Sequence, residues 1–428
     1  MRRYEKYKPS GVEWLGEIPE HWEVKRVKDI FREFGSGTTP STANVDYYED
    51  GNVNWLNTND LSNDLIYETK QKITKKAQRE SGLKTYPVNS LAIAMYGQGK
   101  TRGTVGLLQV PSTTNQASCI MFKPIKTNTK YVLYWFIHKY EDIRSLNTGA
   151  TQPNMNQDFV KFLTLHFPLY EEQTAIANYL DTKTAAIDRK IELLTAKTAK
   201  YNALRRSLIN ETVCRGLKPN ALLKDSGIEW IGKIPAHWEV KGFKEIARTV
   251  KGKNLDLSDT YFDKSLPNLS LDFLRNDSIT FDTFCYTTDK NQRVTTNDMI
   301  IIWDGAGVGE ILKGKDGFLS STIAKIVVDN KKYDKNFLYH LRFSIEYVLK
   351  MIPAGMGIPH LNPQVLNSFD CPCPPLIEQL EIAQYLDNQT SQIDTILSNI
   401  SNQIGKLTQL RKTLINDVVT GKIKVTED

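Results

Sequence analysis

Long hydrophobic runs are missing from this 428-residue chain. No stretch approaches the roughly 18 apolar residues of a membrane span, so a membrane-embedded protein is not expected. The amino-terminal MRRYEKYKPSG is basic with no apolar core behind it, unlike a secretory signal. Cysteine is scarce. The five residues Cys119, Cys214, Cys285, Cys371 and Cys373 are odd in number and scattered. That excludes a disulfide framework and suits a reducing cytoplasm. Cys371-Pro-Cys373 has no second cysteine or histidine pair to complete a zinc set. A strong charge of one sign is also lacking. Lys plus Arg number 55 and Asp plus Glu 49, a net charge of +6. This permits an anionic partner without requiring one.

Catalytic patterns are missing as well. There is no dinucleotide fingerprint with its downstream acid and no nucleophile elbow. An Asn/Asp-Pro-Pro-aromatic methyltransferase motif is absent, and Asn362-Pro363-Gln364, the nearest sequence, fails it. One stretch does fit a relaxed phosphate-binding loop. It runs from Ala94 to Thr101, with Lys100 and Thr101 in the expected places. Such a loop must open a helix whose N-terminus holds the phosphates. The chain instead continues as Arg102-Gly-Thr-Val-Gly-Leu-Leu, glycine-broken and strand-like. The corresponding Trp303-Asp-Gly-Ala-Gly-Val-Gly309 lacks the lysine. A glycine-rich turn shared by two domains is the better reading.

What the chain does have is duplication. Residues 10–30 read SGVEWLGEIPEHWEVKRVKDI and residues 226–246 read SGIEWIGKIPAHWEVKGFKEI, with about two thirds of the 21 positions identical. A second repeated stretch covers 168–216 and begins again at Pro374. The copies align without a gap, placing Glu172-Gln173 on Glu378-Gln379, Tyr179-Leu180-Asp181 on Tyr385-Leu386-Asp387, and Leu208-Ile209-Asn210 on Leu414-Ile415-Asn416. Each copy reads as a long helix. Proline precedes it, acids sit in its first turn and Arg205-Arg206 or Arg411-Lys412 lie towards its end, all on the favourable side of the helix dipole. Ile176, Leu180, Ile187, Ile191, Leu194, Tyr201 and Leu208 form a seam with steps of three, four and seven residues. Ile382, Leu386, Ile393, Leu397, Ile400, Ile404, Leu407 and Leu414 form its copy. About 40 residues at 1.5 Å each make a rod on the order of 60 Å.

The resulting expectation is an α+β chain built as a pseudo-twofold tandem duplication. Two mixed α/β globular domains, 1–167 and 218–373, are separated by two long antiparallel coiled-coil helices, 168–217 and 374–428. Within the globular segments, residues 53–56, 90–95, 118–122, 163–167, 299–303 and 322–328 read as strands. Residues 130–140 and 336–351 read as matching amphipathic helices. Trp14, His21 and Trp22, with their copies Trp230, His237 and Trp238, read as a packed aromatic clasp in preference to catalytic histidines.

The loops carry residue types that read nucleic acid. Arginine and lysine suit guanine edges and phosphates, and asparagine and glutamine suit adenine. The first domain offers Thr38, Thr39, Asn57, Asn59, Lys100, Arg102, Asn115, Gln116, Gln152 and Asn154. The second offers Lys251, Lys253, Arg275, Lys313, Lys315, Ser320, His360 and Asn362.

The SGVEWLGEIPEHW opening, the duplicated EQxxIAxYLD entry to a long helix and the Leu-Ile-Asn exit resemble the specificity (S) subunit of type I restriction-modification systems. The resemblance covers essentially the whole chain. It implies two target recognition domains, each reading half of a split, asymmetric site in double-stranded DNA, held apart by the repeated helices. It also implies a chain with no catalysis or cofactor of its own. Two methyltransferase subunits would bring S-adenosylmethionine, and restriction subunits would supply ATP- and Mg-dependent translocation and cleavage. Two other classes remain in view. One is an enzyme in its own right, either a P-loop NTPase or a self-contained DNA-modifying enzyme. The other is a coiled-coil scaffold that binds no DNA.

Overall fold

A computed structural model describes residues 2–97, 99–145, 155–276, 278–280, 283–351 and 359–426. It divides into two compact units, Met1–Leu194 with Ser401–Asp428, and Thr195–Ile400. Each takes one globular head together with parts of both long helices, Tyr170–Arg215 and Leu376–Val419.

In the first unit, β1 (Glu23–Arg26) leads into β2 (Phe31–Gly35), followed by β3 (Asp64–Ile66), β4 (Leu91–Ala94), β5 (Val105–Leu108) and β6 (Ser118–Pro124). The five-stranded sheet has the order β2-β6-β4-β5-β3. Its pairs are antiparallel except β3 beside β5. Strand β4 reads LAIA and is buried on both faces. Leu91 and Ile93 enter the core that holds helix α1 (Thr129–His138), whereas Ala92 and Ala94 enter a smaller core with Leu56, Ile66 and Phe122. This is the two-residue side-chain period of a strand covered on both sides. Helix α2 (Tyr140–Ser145) follows α1, and β7 (Thr164–Phe167) pairs antiparallel with β1 just before the first long helix.

The second unit repeats the plan. β8 (Glu239–Gly242) leads into β9 (Ala247–Lys251). Next come β10 (Met299–Ile302), β11 (Ile311–Lys313) and β12 (Ile323–Val328), helix α3 (Lys335–Met351) and β13 (Asp370–Cys373). The sheet order β9-β12-β10-β11 matches β2-β6-β4-β5, and β8 pairs with β13 as β1 pairs with β7. Met299 and Ile301 face the large core, and Ile300 and Ile302 the small one.

The two long helices run 46 and 44 residues. Their inward stripe includes polar residues that apolar periodicity passes over. Thr184 and Thr390 are buried, and each donates its hydroxyl to the carbonyl four residues back, Leu180 or Leu386, at 2.8 and 2.7 Å. With Thr184, Thr198, Arg205 and Thr212 included, the first stripe steps by alternating fours and threes from Leu180 to Thr212, a heptad seam. Inside the first unit Ile176 and Leu180 share a core with Leu414 and Val418, and Asp188 pairs with Arg411 at 2.9 Å. Inside the second, Ile209 and Val213 share a core with Ile382 and Leu386, and Arg205 pairs with Asp394 at 3.1 Å. Within each unit, then, the start of one helix lies beside the end of the other. The two ion pairs join the same two repeat positions.

The duplicated motifs are the joints between head and helix. Glu172, in the first helical turn, is buried. It accepts from the Trp22 indole N–H at 3.0 Å and from the Tyr4 hydroxyl, and meets His21 Nε2 at 3.0 Å. Glu378 meets Trp238 and His237 in the same way, both at 2.9 Å. Burial pushes the Glu378 carboxyl up, but these two hydrogen bonds outweigh it and leave it below the ordinary carboxylate value. The clasp expected around Trp22 and Trp238 is therefore present, and the helix glutamate is its centre. The next residue caps the head. Gln173 accepts from the Asn128 backbone N–H ahead of α1 at 2.9 Å, and Gln379 from that of Asp334 ahead of α3 at 2.7 Å. About two turns further on, Asp181 accepts from Lys130 and Tyr134, and Asp387 pairs with His340 at 3.0 Å. The Glu-Gln and the Asp of the repeat thus have fixed structural partners.

Candidate nucleic-acid interface

Strand register decides which loops meet. In the first unit Gly35 pairs with Ile120, Ser118 with Ala94, Ile93 with Val105, and Asp64 with Gly106. The end of β2, the start of β6, the end of β4 and the starts of β5 and β3 therefore lie along one edge of the sheet. The loops 36–44, 57–63, 95–104 and 115–117 all open there. The first unit's described candidates all come from these loops.

Their contacts are specific. The Trp55 indole donates to the Thr38 carbonyl at 3.3 Å, and the Thr39 hydroxyl to Gln116 Oε1 at 2.9 Å. The Gly37 N–H donates to the Asn115 carbonyl and the Asn115 N–H to that of Leu56, both at 3.1 Å. The crossing at Gly37 is tight, since a Cβ there would sit 1.6 Å from the Thr114 carbonyl oxygen. Its counterpart Gly252 would meet the Ser320 carbonyl at 1.9 Å. The Asn57 side chain caps its own turn, accepting from the Asn59 N–H at 2.9 Å, and the Asn59 carbonyl accepts from Lys70. Gln152 and Asn154 lie outside the described residues.

The glycine-rich loop with Lys100 and Arg102 is held from its carbonyl side. The Arg144 guanidinium donates to Gly99 O at 2.9 Å and Arg102 O at 3.0 Å, and the Tyr140 hydroxyl donates to Lys100 O. A phosphate cradle needs converging N–H groups at a helix start. This loop turns carbonyls towards a cation and runs into strand β5, so it is not a P-loop. The Lys100 side chain is exposed, and Arg102 donates to the Arg144 carbonyl at 3.3 Å.

The second unit collects its loops in the same way but pairs its cations with carboxylates. Lys251 meets Asp304 at 3.0 Å, Lys253 meets Asp289 at 2.8 Å, and Arg275 Nε meets Glu310 at 3.1 Å. Glu310 holds the Arg275 guanidinium above its usual value, and Lys253 draws Asp289 below its own. His360 Nδ1 lies 2.6 Å from the same Asp304. Burial raises the Asp304 carboxyl, but His360 and Lys251 together bring it below the ordinary range. Ser320 bonds Thr322 at 3.1 Å, and Asn362 caps the short helix Pro363–Asn367 through the Gln364 N–H at 2.9 Å. Two candidates lie elsewhere. Lys313 pairs in register with Met299, at the far end of the sheet. There it sits over the Tyr339 ring and lines a groove of about 740 Å³ with Arg205, Arg342 and Asp394. Lys315 donates to the Phe273 and Asn276 carbonyls, which anchors it beside the helix Leu271–Arg275. Asp304 itself was not among the sequence candidates, because one acid in a loop looks like ordinary solvated surface.

Fold and site define a duplicated, two-headed chain whose sheet-edge loops gather polar and basic side chains. The family model described as the type I restriction modification DNA specificity domain matches twice, at residues 19–200 and 235–406. The chain belongs to that family. It is 34% identical over 189 residues to the type I restriction enzyme MjaVIII specificity subunit of Methanocaldococcus jannaschii, covering 44% of this chain and 43% of that protein. To the MjaIX specificity subunit of the same organism it is 24% identical over 436 residues, 96% of each. Two solved structures share the fold. One, described under the structural basis of complex assembly and conformational transition of the type I R-M system, has a TM-score of 0.72 at 14% identity, covering 95% of this chain and 99% of that one. The HsdS subunit from Thermoanaerobacter tengcongensis has a TM-score of 0.52 at 15% identity, covering 95% and 98%. Among the described residues, no helix is long and apolar enough to cross a membrane.

Proposed function

We propose that this chain is the DNA-recognition subunit of a type I restriction-modification complex. Each head reads one half of a split, asymmetric site in double-stranded DNA with the loops at one sheet edge, and the paired helices fix the gap between half-sites. Two methyltransferase subunits dock on it with S-adenosylmethionine and methylate the site. Restriction subunits add ATP- and Mg-dependent translocation and cleavage. The chain supplies recognition and performs no chemistry itself. The observation that carries this reading is the repetition of one plan with different contents. The sheet order and the Glu-Gln and Asp joints recur, while the loops at the reading edge differ in most candidate side chains, Asn362 and its counterpart Asn156, both helix caps, being an exception. Two scaffolds that match and two surfaces that do not are what reading two unlike sequences requires.

Direct readout distinguishes all base pairs in the major groove, while phosphate contacts set register. Lys100 and Arg102 suit phosphates, and Thr39, Gln116, Asn57 and Asn59 suit base edges. Methylation mapping in cells that express this chain with its methyltransferase partner tests the proposal. The expected result is a motif of two short specified blocks around an unspecified gap. Unsplit or sequence-independent methylation would sink it.

A further inference from the structure

The two heads hold different residues at one equivalent place on the reading edge. In the first unit, the Met95 N–H donates to the Ala117 carbonyl at 2.8 Å and the Gly103 N–H to that of Ala94 at 2.9 Å. In the second, the Trp303 N–H donates to the Thr322 carbonyl at 2.8 Å and the Gly309 N–H to that of Ile302 at 2.9 Å. The glycines correspond too. Gly97 and Gly103 have φ of +140° and +85°, and Gly305 and Gly309 have +99° and +83°. The residue just before the first of these glycines is therefore equivalent in the two heads. It is Tyr96 in one and Asp304 in the other.

Asp304 is unusual company for a polyanion. An acceptor-only side chain can pair with DNA solely where DNA presents donors. In the major groove these are the exocyclic amino groups, cytosine N4 and adenine N6. A bare carboxylate would be repelled, but Lys251 at 3.0 Å supplies an opposing charge. His360 at 2.6 Å holds one oxygen and Lys251 the other, which fixes the carboxylate plane. Each oxygen keeps further acceptor capacity. The carboxylate is thus pre-oriented, charge-compensated and placed at the mouth of the edge, with 16% of its side chain exposed.

We propose that Asp304 is a specificity-determining residue that accepts a hydrogen bond from one exocyclic amino group in its head's half-site, and that Tyr96 occupies the corresponding reading position in the other head. The inference rests on the recognition function proposed above.

The test is methylation mapping of the complete methyltransferase complex carrying the wild-type chain, Asp304→Ala, Asp304→Asn, Lys251→Ala or Tyr96→Ala. With Asp304→Ala, discrimination at one base pair of one half-site should fall about 5- to 150-fold, the span of a single good base contact. Every other position should stay fixed. Asp304→Asn preserves the shape of the side chain, so it decides the matter if the alanine variant does not fold, and the same single position should relax or change. Lys251→Ala removes the opposing charge and frees one carboxylate oxygen, so it should weaken methylation at all sites and relax most at the base pair that Asp304 reads. Tyr96→Ala should relax one position in the opposite half-site. Uniform loss in both Asp304 variants with an intact motif would make Asp304 a clamp for Lys251 and His360 and overturn the inference. Lack of any split motif with the wild-type chain would instead overturn the recognition function, and this inference with it.

Discussion

Replacing the two clasp glutamates by alanine should give unequal losses of stability, with Glu172 costing more than Glu378. In the first unit, Glu172→Ala leaves the Trp22 N–H and the Tyr4 hydroxyl without their acceptor. Trp22 is fully buried, and only 8% of the Glu172 side chain is exposed, so water cannot readily replace it. An unsatisfied buried donor costs about 1–3 kcal/mol. Two of them set a loss of about 2–6 kcal/mol, on top of the packing removed. In the second unit Glu378→Ala strands one buried donor, Trp238. His237 is half exposed and can turn to solvent, and Glu378 is itself 24% exposed. The loss there should be about 1–2 kcal/mol. Chemical denaturation followed by tryptophan fluorescence reports both, because Trp22 and Trp238 sit at the two clasps. An equal or larger loss for Glu378→Ala, or less than about 0.5 kcal/mol for either, would refute the view that the duplicated glutamate anchors head to helix.

The same structure sets the outcome of other perturbations. Lys100→Ala with Arg102→Ala should weaken DNA binding by the assembled complex broadly and lower its salt slope by about one to two units. An unchanged slope in a salt titration would place that loop away from the duplex. Matching four-residue insertions after Lys197 and, one repeat later, after Gln403 add about 6 Å to each helix and nearly a whole turn. Methylation mapping should then show both half-sites unchanged and the gap longer by about one or two base pairs, and an active variant with an unchanged gap would show that the helices do not set the spacing. His166 is buried and held neutral at about 4, mainly by burial, accepting from Trp135 at 3.2 Å. Its unfolded value is near 6.5, so the unfolded chain takes up a proton first as pH falls. The contribution of His166 to the stability of the first unit should therefore be full above about pH 6.5 and drop by about 2 kcal/mol by about pH 5. Thermal melts of His166→Gln that keep the same acid sensitivity would assign that drop to other groups.

The helices and the duplication were readable in the sequence because their signals are local and repeated. Steps such as Ile187, Ile191, Leu194 need no knowledge of partners. The polar seam positions Thr184 and Arg205 escaped that reading, since their place in the stripe depends on satisfaction by Leu180 O and by Asp394. The strands around Leu91–Ala94 and Met299–Ile302 were visible as apolar runs, but their order in the sheet is non-local. That order decides the site. Asn57 and Gln116 are far apart in the chain and share one edge, whereas Lys313 is near Glu310 in sequence and lies at the opposite end. The clasp was visible as repeated aromatics. Its centre was not, because Glu172 looked like a helix-dipole residue and only the fold brings it under Trp22.

The most direct test of independent heads is an exchange of residues 24–167 for the same segment of a relative with a different motif, followed by methylation mapping. With independent heads, one half-site changes to the donor's while the other half-site and the gap stay as they were. A change in both half-sites, or in neither, would contradict it.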